Sequence, residues 1–215
     1  MEISVYLTIS ACVFIVVVAF VWRLASRCYT LPCPVWLRWL VELDNPLTRT
    51  NRSAFIIGHL ELEPGMAVLD IGCGPGRLTI PAARSVGNQG IVLAMDIQAG
   101  MLARVKTKAD MAELSNIDFL HAGVGEGRLA NERFDRALLV TVLGEIPERE
   151  RKKALREIFA ALRPGGILSV TEIIFDPHFQ SRNTVTRLAE EVGFREKAFY
   201  GNRIAFVLNF KKTAL

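Results

Sequence analysis

Three patterns of hydrophobic and polar positions follow one another along the chain. Residues 3–22 contain no charged side chain and are rich in Val, Ile, Phe and Leu. At about 1.5 Å per helical residue such a run spans roughly 30 Å, the thickness of a bilayer's hydrocarbon core, so it predicts a membrane-crossing helix. Leu31-Pro32-Cys33-Pro34 then ends that helix and lets another start near Val35. In this second helix Trp36, Trp39, Leu40 and Leu43 recur at i, i+3, i+4 and i+7 and share one face, suited either to the headgroup level of a membrane or to packing as a lid. A further helix is expected over residues 45–60, with Leu47, Ala54, Ile57 and Leu60 inward.

From Met66 onward short β-branched runs alternate with helical stretches, the signature of a parallel sheet flanked by helices. The pattern predicts strands over 67–71, 91–95, 117–120, 136–140, 167–172, 196–200 and 204–210, with helices over 77–86, 99–114, 148–162 and 184–192. Gly201-Asn202 between the last two strands is a hairpin signal. The division that follows is an anchor over 1–27, interfacial or lid helices over 28–62, and an α/β domain over 63–215.

Composition sharpens this division. With 215 residues, 51% of them hydrophobic, and four Cys, the chain is neither disordered nor a disulfide scaffold, and it has room for one full-sized domain with an appendage. Its mean hydropathy of +0.28 is raised by the uncharged run at the front. Only Glu2 precedes that run, whereas Arg23, Arg27 and Arg38 follow it, which disfavours a cleaved signal peptide and puts the following domain on the cytoplasmic side of a single-pass protein. The net charge is +4 and basic residues do not cluster with aromatics, so no nucleic-acid surface is expected. Cys12 lies in the apolar run, Cys73 in a glycine-rich loop, and Cys28 with Cys33 lack a second pair, so free thiols and no metal site are expected. The mixed charges of residues 148–153 read as a solvated helix start.

In such a sheet, ligands bind outside the carboxyl ends of the strands. After the first strand comes Asp70-Ile71-Gly72-Cys73-Gly74-Pro75-Gly76. Its glycines permit a tight turn and close approach of a ligand to the backbone. Arg77 occupies the place of the third glycine in a dinucleotide fingerprint, and no Gly-Lys-Ser/Thr follows, so neither a dinucleotide nor a P-loop site is formed. Asp96, at the end of the second strand, is placed to accept both hydroxyls of a ribose. Together these residues point to a nucleoside-containing ligand without a pyrophosphate clamp.

Val68-Leu69-Asp70-Ile71-Gly72-Cys73-Gly74-Pro75-Gly76, Ala94-Met95-Asp96-Ile97, Phe134-Asp135 and Leu162-Arg163-Pro164-Gly165-Gly166-Ile167-Leu168 occur in the order and spacing of the class I S-adenosylmethionine-dependent methyltransferases, and the chain resembles that family from about Glu63 to its end. The resemblance implies a Rossmann-like, doubly wound seven-stranded α/β sheet in order 3-2-1-4-5-7-6 with strand 7 antiparallel, here preceded by a transmembrane helix. It also implies S-adenosylmethionine as cofactor, with its methionine part at Asp70, Gly72, Cys73, Gly74 and Gly76, its ribose at Asp96, and Ile97 and Thr141 on the same cofactor-facing edge. Many relatives carry an acidic residue shortly after the third strand. This chain reads His121-Ala122-Gly123-Val124-Gly125-Glu126, so adenine falls either to Glu126 or to the backbone of Gly123 and Val124, and His121 reads as structural.

Methyl transfer from a sulfonium is an in-line displacement with a good leaving group, so positioning supplies much of the catalysis and a base is needed only for a protonated acceptor. After the fourth strand the chain reads Thr141-Val142-Leu143-Gly144-Glu145-Ile146-Pro147, not the Asn-Pro-Pro-Tyr of relatives that methylate planar nitrogen. Three groups are candidates to face the acceptor as catalytic residues: Glu145, Glu172 at the end of the fifth strand, and His178 in Asp176-Pro177-His178-Phe179-Gln180, the last being the preferred base because histidine as a residue type suits proton transfer near neutral pH. Anchoring to a bilayer raises encounters with molecules that live there. The expected partners are thus the lipid bilayer and a lipophilic acceptor such as a quinone precursor, an isoprenoid or a phospholipid headgroup. A small thiol or xenobiotic acceptor, and a non-catalytic cofactor-binding subunit, are the alternatives.

Overall fold

The computed structural model describes residues 48–213, together with Tyr6, Ser10, Val13, Phe14, Val17, Val18 and Val21. Those seven are helical and exposed, and their spacing puts them on one helix face. The rest of the expected span, the Trp36 to Leu43 stripe, and Cys12, Cys28 and Cys33 lie outside the described residues. Among the described residues no helix is long and apolar enough to cross a membrane.

Seven strands form one sheet: β1 (Ala67–Ile71), β2 (Ile91–Asp96), β3 (Ile117–His121), β4 (Phe134–Val140), β5 (Leu162–Ile173), β6 (Phe194–Gly201) and β7 (Ala205–Lys212), in order β3-β2-β1-β4-β5-β7-β6. The first five pair in parallel and β7 runs antiparallel to both β5 and β6, as the resemblance implies. Alternate residues of each strand feed two cores. Val68, Val92, Ala94, Leu138 and Val207 pack against helices α1 (Ser53–Gly58), α2 (Thr79–Val86) and α3 (Ala99–Met111). Leu69, Leu93, Leu139, Val170 and Leu208 pack against α4 (Glu148–Ala161) and α5 (Arg182–Glu190). Burial on both faces explains why β1 reads as an unbroken apolar run around Asp70.

Two elements differ from expectation. The helix predicted over 45–60 is, within the described residues, a 3-10 turn at Arg49–Asn51 and the short α1, separated by the extended backbone of Arg52. The break coincides with a tertiary bond: Arg77 Nη1 donates to the Asn51 carbonyl at 2.6 Å. β5 begins five residues earlier than expected, because Leu162 already pairs with Phe134 and the Pro164-Gly165-Gly166 stretch is absorbed by a register shift opposite Asp135.

Asp135 explains part of the motif that carries the resemblance. Its carboxylate accepts the Ala67 amide at 2.8 Å, where β1 starts, and both of its oxygens lie 2.7 and 2.8 Å from Arg163 Nη1, where β5 starts. One side chain thereby aligns the three central strands. Asp135→Ala is expected to lower the free energy of urea unfolding by about 2 kcal/mol, since a buried amide loses a charged acceptor. A loss below about 0.5 kcal/mol would mean that strand alignment does not depend on it.

Candidate active site

The carboxyl edge of the sheet assembles most of the expected site. β1 runs into Gly72, which adopts φ +63°, and a Cβ there would collide with the Val142 side chain from the segment after β4. The loop is tied down on three sides. Cys73 N donates to Met95 O at 3.0 Å, Gly74 N to Asp96 Oδ2 at 2.9 Å, and Lys108 Nζ to Pro75 O at 2.8 Å.

Asp96 is buried at the end of β2, and its Oδ1 accepts the Gln98 amide at 2.8 Å. Burial raises its pKa, opposed by the Gln98 and Gly74 amides and by His121. Each oxygen, having accepted one N–H, keeps a lone pair for a further donor. Asp70, one strand over, is also buried and its Oδ2 accepts the Thr79 hydroxyl at 2.6 Å. Burial pushes Asp70 up to about 6, with Thr79 opposing and the Asp96 charge adding. One of its oxygens therefore anchors the start of α2 and not a ligand. The Cys73 thiol is buried, and burial raises its pKa, so it stays protonated.

After β3, the Gly123 amide donates to Glu126 Oε1 at 3.0 Å. The two groups considered for adenine are thus bonded to each other, and Val124 packs on the core. His121 Nε2 lies 2.9 Å from the Ile97 carbonyl, consistent with its structural reading. The Ile97 side chain is exposed next to Asp96 and offers an apolar face where a base would lie.

The other half of the edge is built by the segments after β4 and β5. Thr141 adopts φ +56°, rare for a residue with a Cβ, and its amide is held by Thr171 O at 2.9 Å. At Gly144 a Cβ would fall inside the His178 carbonyl, so the two segments meet backbone to backbone. Glu172, 1% exposed, accepts the Gln180 amide at Oε2 at 3.0 Å, while Oε1 has no hydrogen-bond partner. Burial pushes Glu172 up to about 8, against the Gln180 amide and Arg151 and with Asp176 and Glu145 adding to the rise. The half-buried Arg151 donates to Ile146 O at 2.9 Å, Gly144 O at 3.2 Å and Gln180 Oε1 at 3.0 Å.

Glu145, Glu172 and His178 therefore do gather at one edge, and Gly72, Gly74 and Asp96 gather beside it around the glycine loop. His178 is buried, its amide held by Asp176 Oδ1 at 2.7 Å. Sequence reasoning missed Thr79, Lys108, Arg151 and Gln180. Arg151 sits in the charged stretch read as a solvated helix start, yet it turns inward onto two loops. The only sequence signal was Pro147 at the mouth of α4, which brings the first helical turn against the preceding segment.

A carboxyl raised from its ordinary value of 4.5 to about 8 holds its proton more tightly in the folded protein, so native stability is lost as pH rises through that window. Glu172→Gln, which cannot ionise, is expected to match wild type near pH 5 and to exceed it at pH 9 by on the order of 3 kcal/mol in denaturant unfolding. An equal difference at both pH values would show that Glu172 is not held neutral.

Comparison with known proteins agrees with the geometry. Residues 68–166 match the family described as methyltransferase domain. A probable methyltransferase, ltbC, of Aspergillus luteorubrus is 30% identical over 150 residues, 66% of this chain and 51% of that protein. The ubiquinone/menaquinone biosynthesis C-methyltransferase UbiE of Vibrio vulnificus is 36% identical over 127 residues, 57% of this chain and 48% of that protein. The chain thus matches about half the length of these curated relatives. A SAM-dependent methyltransferase from Aquifex aeolicus has the same fold, with a TM-score of 0.74 at 20% identity over 85% of this chain and 100% of that one. Residues 68–166 thus match a methyltransferase domain, and the strand order and the similar proteins support an S-adenosylmethionine-dependent methyltransferase with S-adenosylmethionine as its cofactor.

Proposed function

We propose that this chain methylates a lipophilic, membrane-associated small molecule, with a quinol-type ring as the acceptor class that fits best. The observation that carries the reading is an apolar rim at the acceptor side of the edge: Ile174 is 38% exposed, Phe175 62% and Ile204 48%. Ile174 N donates to Ile204 O at 2.7 Å, so the rim is continuous from the end of β5 to the start of β7, immediately after Glu172. A water-soluble acceptor gives no reason for three large apolar side chains at this place. The match to a quinone C-methyltransferase supports the same acceptor class.

The residues present fit the cofactor. The carboxylate of Asp96 keeps one acceptor site on each oxygen for the two ribose hydroxyls, and Ile97 offers an apolar side chain beside it. S-adenosylmethionine, when bound, supplies a methyl group on a positively charged sulfur that leaves readily. The glycine loop, fixed through Gly74 and Pro75, holds the cradle in place. Glu172, protonated near neutrality, is a hydrogen-bond donor at its unpartnered oxygen and not a base. Proton removal from a phenol or ring carbon falls to His178 or Glu145.

The exposed apolar face formed by Tyr6, Val13, Phe14, Val17, Val18 and Val21 supports an N-terminal membrane anchor with the domain on the cytoplasmic side, where Arg23, Arg27 and Arg38 would place it. Anchoring and rim then serve the same acceptor.

Two experiments test this. Asp96→Ala is expected to weaken S-adenosylmethionine binding at least roughly ten-fold by calorimetry without unfolding the protein, as loss of charged hydrogen bonds would. Unchanged affinity would remove Asp96 from the cofactor site. Membranes containing the full chain, incubated with radiolabelled methyl donor and extracted with organic solvent, should carry enzyme-dependent label in the lipid extract. Label confined to aqueous small molecules would overturn the lipophilic acceptor and favour a small thiol.

A further inference from the structure

We propose that Arg151 is a positioning residue for the acceptor, locking the segment after β4 to the segment after β5 through Gln180 and Glu172. The inference rests on the reading of this edge as the acceptor side of a methyltransferase.

Five hydrogen bonds make the lock. Arg151 Nε and Nη2 hold the carbonyls of Ile146 and Gly144, and Nη1 holds Gln180 Oε1. Gln180 in turn donates its side-chain Nε2 to His178 O at 2.7 Å and its amide to Glu172 Oε2 at 3.0 Å. Glu172 belongs to β5, so the chain of bonds ends on the rigid sheet. The carbonyls that Arg151 binds flank Glu145 on both sides. His178 is likewise held on both sides, by Asp176 at its amide and by Gln180 at its carbonyl. The lock therefore fixes the backbone that carries both candidate bases.

The arrangement is unlike an ordinary arginine on a helix. All three bonds go to neutral oxygens outside α4, although Glu148 lies one turn before it in the same helix. Desolvation lowers the guanidinium pKa, an unfavourable environment that a solvated helix-start arginine avoids. The fork of donors explains the choice of residue: three acceptors spread over two segments need a planar group that bonds in several directions, which lysine lacks. Gly144 completes the lock, because only a residue without a Cβ lets the two backbones touch.

Transfer to an acceptor depends on alignment to a fraction of an ångström, so loosening this lock should act on the acceptor step and spare the glycine loop. The test uses the full chain in lipid vesicles, with Arg151→Met and, as an independent perturbation, Gly144→Ala. Three readouts are hydrogen exchange of peptides over 141–147 and 174–181, S-adenosylhomocysteine affinity by calorimetry, and kinetics with a short-chain demethylmenaquinol. Each variant is expected to speed exchange in both peptides and to lower kcat/KM for the quinol by roughly ten-fold, while the S-adenosylhomocysteine Kd moves less than about two-fold. The double variant should be no worse than the more impaired single one. Loosening of residues 141–147 alone, additive effects, or a Kd that weakens in step with kcat/KM would overturn the proposal. If wild type does not turn over the quinol, the quinol reading fails, and exchange in the two peptides still decides the lock.

Discussion

Neighbouring segments must pass in close contact at the carboxyl edge of this sheet, and the site depends on that constraint. Parallel strands ending side by side deliver their following segments into one small region, where side chains at the crossing points would hold the segments apart. Glycine relieves the crowding at two places. Gly72 lets the loop after β1 pass beneath Val142, and Gly144 lets the segment after β4 rest against His178. The first contact lies at the glycine loop and the second between Gly144 and His178, so a single steric requirement recurs across the edge.

Buried carboxylates then give that edge its chemistry, and their neighbours separate their roles. Asp96 accepts two amides and retains acceptor capacity, which suits a ribose. Asp70 faces a hydroxyl at the start of α2 and serves the frame. Glu172 has one amide, an unpartnered oxygen and like charges nearby, and it keeps its proton. Asp135 stands apart from the edge, aligning the starts of β1, β4 and β5. Three of these four acids fall within the motif strings of the sequence, yet they do different physical work. Spacing alone does not distinguish them; partners do.

The legible parts of the fold were those governed by local pattern. Strand order followed from the motif series, β1 was placed residue for residue, and Gly201-Asn202 does begin the turn into β7, where Asn202 Oδ1 accepts the amides of Ile204 and Ala205. What escaped depends on which partners the folded chain supplies. Proline and two glycines at 164–166 read as a loop, but pairing of Leu162 with Phe134 draws them into β5. Arg151 reads as one charge among many in a helix start, and its acceptors lie in the segments after β4 and β5, outside its own helix. Glu126 and Gly123 looked like alternative adenine contacts, whereas the structure bonds them to each other. The pairing of Leu162 with Phe134 and the bond from Arg151 to Gln180 join distant parts of the chain, whereas the Gly123–Glu126 bond closes a single turn.

On the proposed function, donor and acceptor meet at this edge and the acceptor is lipophilic. The most direct measurement is S-adenosylhomocysteine formation by the purified full chain in lipid vesicles, comparing a demethylmenaquinol in the bilayer with a water-soluble thiol at the same total concentration. Saturable turnover with the quinol and none above background with the thiol are expected. Turnover with the thiol alone would contradict the lipophilic acceptor.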